Sequence, residues 1–189
     1  MKPQKPKKPL SLQMPAAAPA NRPAAVKIEV SEEAKQLFNQ RLETVMRDSL
    51  KVVAYFGIQN VAAEFVSLIA QTQEEFTKLK PVADSLGTVF DKRENGVIIK
   101  LSKPIPVEKE EILFVRVEQP SRDPSKRGIL GNCSYTTEDW HELADSVDRR
   151  PGANVIEGDG EEDHNIIELK GTETLKATAS IPNFGLLEE

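Results

Sequence analysis

The longest regular pattern of hydrophobic and polar positions in this 189-residue chain runs from Ser31 to Lys80. Apolar side chains recur there at helical spacing, which predicts helices with one apolar face. Ser31 is a suitable N-cap, and Pro81 is expected to end the second run because proline cannot continue the hydrogen-bond ladder. Gly57 lies between two runs, so the pattern favours two helices packed as a hairpin. The apolar positions are Ala34, Phe38, Leu42, Val45, Val52 and Phe56 in the first run, and Val61, Phe65, Leu68, Ile69, Phe76 and Leu79 in the second.

Two other interpretations of this stretch stay open alongside the hairpin. One uninterrupted helix of about 50 residues would form a coiled coil between subunits, since glycine inside a helix costs only about 1 kcal/mol. Residues 52–70 approach the length and apolarity of a membrane span. Polar residues within them, including Glu64, argue against burial in lipid. The helical hairpin is therefore preferred.

Beyond Pro81 the hydrophobic period falls to about two, which indicates strands. Asn95 and Gly96 lie between two apolar runs, and this dipeptide is a strong hairpin signal because both residues tolerate a positive φ. Another strand is predicted over 111–118, followed by a long polar loop over 119–128. Three neighbouring antiparallel strands are therefore expected.

The remaining part of the chain predicts one short helix and several short strands. Thr136 and Asp139 fit a capping box that opens a helix reaching about Val147. Short strands are expected within 153–181, and no internal repeat is visible. The sequence predicts an α+β domain over residues 28–181, with a two-helix element and a shorter helix packed on an antiparallel β-sheet of five or six strands.

Charge is distributed unevenly along the chain. Residues 1–27 carry a formal charge of +6, which leaves −11 for residues 28–189 of a chain whose net charge is −5. Six of the 13 prolines fall within the first 23 residues. This composition predicts a disordered basic arm over residues 1–27, while the acidic body is a poor candidate for following a phosphate backbone. Residues 182–189 form a separate C-terminal tail in this division.

Flexible tails and one basic loop supply the predicted partner-binding residues. The tail sequence combines apolar and acidic residues, a composition typical of docking peptides. The loop offers cations that bind a phosphate or a carboxylate. The predicted contact residues are Lys2, Lys5, Lys7 and Lys8 in the arm, Arg122, Lys126 and Arg127 in the loop, and Phe184, Leu186 and Leu187 in the tail.

Candidate chemistry is sparse. Cys133 with His141 or His164 would supply a nucleophile and a base for a cysteine hydrolase, but the surrounding residues match no cysteine-enzyme signature. Counting from Asp159, the acidic segment fails the EF-hand pattern because a histidine and not a glycine is the sixth residue, and Lys170 is the twelfth. Phosphate-binding glycine loops are absent from the sequence. No catalytic residue, metal site or cofactor is predicted.

These features favour a non-catalytic protein–protein interaction or assembly protein, an adaptor that uses flexible tails as docking segments. One alternative is a nucleic-acid-associated accessory protein that binds through the arm and the 122–127 loop, and another is a cysteine-dependent hydrolase. A protein partner is expected, and the 31–80 helices offer a surface for a homo-oligomer. A single cysteine and the lack of a secretory signal predict a soluble cytoplasmic protein without membrane contact.

Overall fold

The structure is a computed structural model, and it describes residues 30–93, 96–124, 127–156 and 165–183. The eight strands formed by these residues belong to one sheet, in the order β2-β3-β4-β1-β5-β8-β7-β6. The elements in chain order are α1 (Glu32–Tyr55), β1 (Ala62–Ile69), α2 (Gln73–Leu86), β2 (Gly87–Arg93), β3 (Gly96–Val107), β4 (Glu110–Glu118), β5 (Gly131–Thr136), α3 (Trp140–Val147), β6 (Ala153–Ile156), β7 (Ile166–Lys170) and β8 (Ala177–Pro182).

The sheet is mixed, so the predicted antiparallel sheet of five or six strands is wrong. β1 pairs with β4 in parallel, and β5 pairs with β8 in parallel. The other neighbouring strands are antiparallel. Parallel partners are separated along the chain by a helix and two further strands, so no turn between them marks the pairing in the sequence.

Two units of the same strand and helix order build the sheet. β1, α2, β2, β3 and β4 form the first, and β5, α3, β6, β7 and β8 form the second. The sheet order reads outward from the central β1–β5 pair in the same way on both sides. The chain therefore contains a structural repeat that its sequence does not show.

The segment predicted as the second helix of the hairpin is instead the central strand β1. Every residue from Ala63 to Ile69 is buried, because side chains on both faces of this strand are covered. A strand buried on both faces has no alternation of polar and apolar residues, and a short apolar run of this kind also fits a helix. The predicted helical hairpin is therefore wrong, and so is the alternative of a single long helix.

The predicted start of helix α1 is confirmed, whereas the predicted end of the second helical run at Pro81 is wrong. The Ala34 N–H donates to Ser31 Oγ at 3.2 Å, which confirms the predicted cap. Pro81 lies inside α2 and does not end it. Proline removes the N–H that would bond the Thr77 carbonyl, and Thr77 is exposed, so water can replace the lost bond.

Several local predictions for the second half are confirmed, and one is wrong. β2 and β3 pair as a hairpin in which Arg93 is opposite Gly96. β6 and β7 are short strands within 153–181, as expected. The capping box at Thr136 is wrong, because α3 begins at Trp140 and its N-cap, Asp139, makes no side-chain hydrogen bond.

The hydrophobic core lies between the helices and one face of the sheet. Buried side chains of all three helices form one cluster with alternate residues of the central strands, such as Val66, Val115 and Ala179. A second, smaller cluster lies on the opposite face and contains residues of strands alone. We call this opposite side, on which no described helix packs, the open face. Among the described residues, no helix has the length and apolarity needed to cross a membrane.

Candidate functional site

A row of four polar side chains crosses the middle of the open face. Ser67 of β1 is opposite Arg116 of β4 on one side and Asn132 of β5 on the other. Asn132 is opposite Thr178 of β8. Because side chains alternate between the faces of a strand, the neighbours of these residues along each strand point into the helix-covered core. The polar row therefore spans both structural units.

Arg116, Ser67 and Glu118 form a closed hydrogen-bonded group at one end of the row. Arg116 donates from Nη2 to Glu118 Oε1 and from Nε to Ser67 Oγ, the latter at 3.3 Å. The Ser67 hydroxyl donates to the same Glu118 oxygen. The side chains of Arg116 and Glu118 are 15% and 17% exposed, and Ser67 is 1% exposed. A charge pair is thus held largely out of water, which requires this degree of hydrogen bonding.

Asn132 organises the other end of the row. Its Nδ2 donates to Ser180 Oγ at 2.8 Å, and its Oδ1 accepts from the Thr178 hydroxyl at 3.0 Å. Both partners are hydroxyls, which can donate or accept, so they satisfy the amide at both ends and hold its plane in place. The second unit therefore contributes an ordered set of neutral polar groups.

The guanidinium of Arg116 keeps donors that its partners do not use. Its two hydrogen bonds occupy Nε and Nη2, and within the described part of the chain Nη1 makes none. A guanidinium carries five N–H donors in a planar fork, which suits carboxylate and phosphate oxygens. The Arg116 guanidinium can therefore donate to a further ligand while its hydrogen bond to Glu118 is kept.

Of the predicted contact residues, the structure describes Arg122 and Arg127, and neither belongs to the polar row. Arg122 and Arg127 are exposed in the segment between β4 and β5. Lys2, Lys5, Lys7, Lys8, Lys126, Phe184, Leu186 and Leu187 lie outside the described residues, as do the arm over 1–27 and most of the tail.

Cys133 is on the wrong face to act with the polar row. It is fully buried beneath α1 in the main core, and burial raises the pKa of its thiol to about 12. Tyr135 lies next to it, shares a 2.8 Å hydrogen bond with Ser49 of α1, and also has a raised pKa because of burial. His141 is exposed on α3, and His164 lies outside the described residues. This geometry argues against a cysteine nucleophile, which must be reachable and readily ionised.

Metal binding finds no support in the described part of the chain. No three His, Cys, Asp or Glu side chains come together there in a way that could hold an ion. Glu118 is the carboxylate of the polar row, and it is already bonded to Arg116 and Ser67.

The sequence contained a weak signal for the polar row that the prediction did not use. Arg116 and Glu118 alternate with Val115 and Val117, so one face of an otherwise apolar strand is polar. In an antiparallel sheet with one solvated face, such alternation is ordinary. Only the strand order reveals that Ser67, far away in sequence, lies beside them.

No protein-family model and no curated protein matches this chain. Among solved structures, it is similar to a structural-genomics protein named EC4020, with 15% identity and a TM-score of 0.61 over 82% of this chain and 91% of that one. This likeness establishes the fold alone, a mixed sheet of eight strands with three helices among the described residues. A methylmalonyl-CoA epimerase in complex with methylmalonyl-CoA and NH4+ has 12% identity and a TM-score of 0.42 over 69% of this chain and 99% of its own. The epimerase likeness is too weak to support any functional conclusion.

Proposed function

We propose that this protein is a non-catalytic binding protein whose ligand lies on the open face of the sheet. The observation that carries the proposal is the polar row from Arg116 to Thr178, with unused guanidinium donors at one end. Ligand sites combine apolar walls with a few placed polar groups, and the open face contains both. A partly buried ion pair is costly, so its presence on the open face is consistent with a binding site.

The same geometry favours binding over catalysis. Ser67 is the hydroxyl closest to a carboxylate in the row, yet it is 1% exposed and accepts a hydrogen bond from Arg116. A nucleophile must reach its substrate and needs a free base beside it. The groups of the row are instead positioned to hold oxygen atoms in place.

A ligand screen read out by NMR tests the proposal on the full-length chain. The side-chain N–H signals of Arg116 and Asn132 would be followed while a chemically diverse set of small polar molecules is added. We expect at least one compound to shift both signals in a saturable manner. A double variant, Arg116→Met with Glu118→Leu, removes the ion pair as a unit and should abolish the shift of the Asn132 signal, which this variant retains. A set of compounds that leaves both signals unchanged would refute the proposal.

Protein interaction is a second candidate, supported by the edge strand β2. Val89 is 55% exposed on this edge, where backbone groups can pair with a strand from a partner. Purification from the native lysate, with and without nuclease, would compare Val89→Lys with the matched edge variant Ile156→Lys. A stoichiometric partner that survives nuclease and is lost only with Val89→Lys supports this candidate. Equal capture by both variants counts against it.

The basic arm remains a predicted docking segment, and its deletion provides the corresponding test. Removal of residues 1–27 should weaken a partner complex without unfolding the body. If the partner is a nucleic acid, log affinity should fall with log salt at a slope of about −0.9 per neutralised phosphate. Salt-insensitive binding would exclude the nucleic-acid alternative.

A further inference from the structure

The open face is divided into an apolar half and a polar half. Phe65, Ile98 and Phe114 of the first unit form the apolar cluster. The ring of Phe90, on β2, extends this cluster because it lies 4.8 Å from the Phe114 ring, centroid to centroid. Phe90 is still 39% exposed, so an apolar surface is left available at this edge.

The second unit contributes the polar half. Asn132, Thr178 and Ser180 are joined by hydrogen bonds and are only partly buried. No aromatic side chain takes part in this group. The two units therefore have the same strand order but different open-face chemistry.

Arg116 lies at the boundary between these halves. Its guanidinium carbon is 5.2 Å from the centroid of the Phe65 ring, within the range of a cation–π contact. The same group bonds Ser67 and Glu118 on its polar side. Its unused N–H groups are thus positioned between an apolar surface and a polar one.

We propose that the ligand of the open face is a small amphipathic monocarboxylate. Its carboxylate binds the unused N–H donors of Arg116, and its apolar part lies over the exposed ring of Phe90, which packs on the buried ring of Phe114. This inference rests on the proposed function, because it assigns a chemical class to the ligand of the same site. Planar carboxylates match the planar guanidinium in a two-point hydrogen bond, which fixes the orientation of the rest of the molecule.

Glu118 selects against more highly charged ligands. It shares the Arg116 guanidinium, so the paired groups have no net charge to offer a dianion. A phosphate monoester would carry close to two negative charges near a carboxylate of like sign. A monocarboxylate carries about half that charge, so Glu118 repels it less. It still accepts the hydrogen bonds from Arg116.

Three probes of similar size separate these classes. Isothermal titration of the full-length chain would compare 3-phenylpropionate, its primary amide and phenyl phosphate. We expect 3-phenylpropionate to bind at least roughly tenfold more tightly than the amide, which is what loss of a charge-assisted hydrogen bond costs. Phenyl phosphate should bind more weakly than 3-phenylpropionate.

Two single variants test the separate parts of the site. Glu118→Gln keeps an oxygen for the Ser67 hydroxyl and removes the negative charge, so it should tighten 3-phenylpropionate binding several-fold and reduce the discrimination against phenyl phosphate. Phe90→Ala should weaken 3-phenylpropionate by about tenfold through loss of aromatic contact. Ile156→Ala is the matched control, because Ile156 is also 39% exposed but lies on the opposite edge strand.

The outcomes distinguish this inference from the broader proposal. Equal binding of the amide and the carboxylate, or an effect of Ile156→Ala equal to that of Phe90→Ala, overturns the monocarboxylate assignment and leaves an open-face ligand in place. A screen in which no compound shifts the Arg116 and Asn132 signals overturns both.

Discussion

The thiol of Cys133 shows how one buried side chain couples stability to pH. Tyr135 lies beside it and shares a hydrogen bond with Ser49 of α1, and burial disfavours the thiolate. The folded-state pKa of about 12 lies above the model-peptide value of 9.0, so the folded protein retains a proton that the unfolded chain loses. By linkage, this contribution to stability is complete below pH 9.0 and is lost as the pH rises toward the folded pKa.

We therefore expect the free energy of unfolding to decline above pH 9.0 and the decline to be shallower in Cys133→Ala. Urea unfolding at several values between about pH 8 and about pH 11 measures both slopes. The raised pKa of Tyr135 adds to the decline in both proteins, so the difference between the slopes is the informative quantity. Identical slopes would show that Cys133 ionises in the folded state as readily as in the unfolded chain.

Gly131 illustrates a residue fixed by its surroundings. A Cβ at this position would lie 2.2 Å from the Ser67 carbonyl oxygen and 2.8 Å from a methyl carbon of Val45, so backbone must move to admit it. Gly131→Ala should lower stability by about 3 kcal/mol, as expected for overpacking in a core. Gly57→Ala is the control, because Gly57 has a φ of 66° and open space around it, so only about 1 kcal/mol is at stake. Comparable losses in chemical denaturation would contradict this steric explanation.

At the scale of elements, Gln71 links β1, α2 and the segment that leads into β5. Its side chain donates to the Ile129 carbonyl at 2.8 Å and accepts from the Gly128 N–H at 3.2 Å. Its own N–H donates to Glu75 of α2 at 2.7 Å. A single residue between two elements thus positions the start of a third that is distant in sequence.

Gln71→Ala should release this segment while leaving the sheet intact. Three side-chain hydrogen bonds to backbone groups, at Ile69, Gly128 and Ile129, are lost, at a cost of about 3 kcal/mol. Faster amide exchange at Gly128 and faster tryptic cleavage after Arg127 are the expected signs, with far-UV circular dichroism unchanged. Gln73→Ala, on the exposed first turn of α2, is the control and should affect neither rate.

Elements whose signals are local were predictable from the sequence. The Ser31 cap identified α1, and Asn95-Gly96 identified the β2–β3 hairpin. β1 was not predictable, because burial on both faces removes the alternation that distinguishes a strand. The prediction that Pro81 ends a helix was wrong for a different reason. Helix α2 continues through Pro81 because water can bond the Thr77 carbonyl that the proline leaves without a partner.

In the molecule as a whole, the polar row depends on the order of the strands across the sheet. Ser67, Arg116, Asn132 and Thr178 come from four strands, and two of the three pairings between them are parallel. No pattern within a single segment encodes such a pairing. The polar row could therefore not be derived from the sequence, although the polar positions on β4 were visible.

The two units share one core, and this predicts that they unfold together. α1 packs across β1 of the first unit and β5 and β8 of the second, so neither unit can open without exposing it. Trp140, the single tryptophan, reports on the second unit.

Val115 offers a way to test that coupling from the other unit, since it is fully buried in β4. Val115→Ala should lower stability by about 2 kcal/mol. If unfolding is cooperative, Trp140 fluorescence and far-UV circular dichroism will shift to the same lower denaturant midpoint, although the substitution and the probe are in different units. A circular dichroism transition that moves while the Trp140 transition stays in place would instead mean that the units fold separately. The central β1–β5 pair would then be a docking surface between two domains and not part of a continuous core.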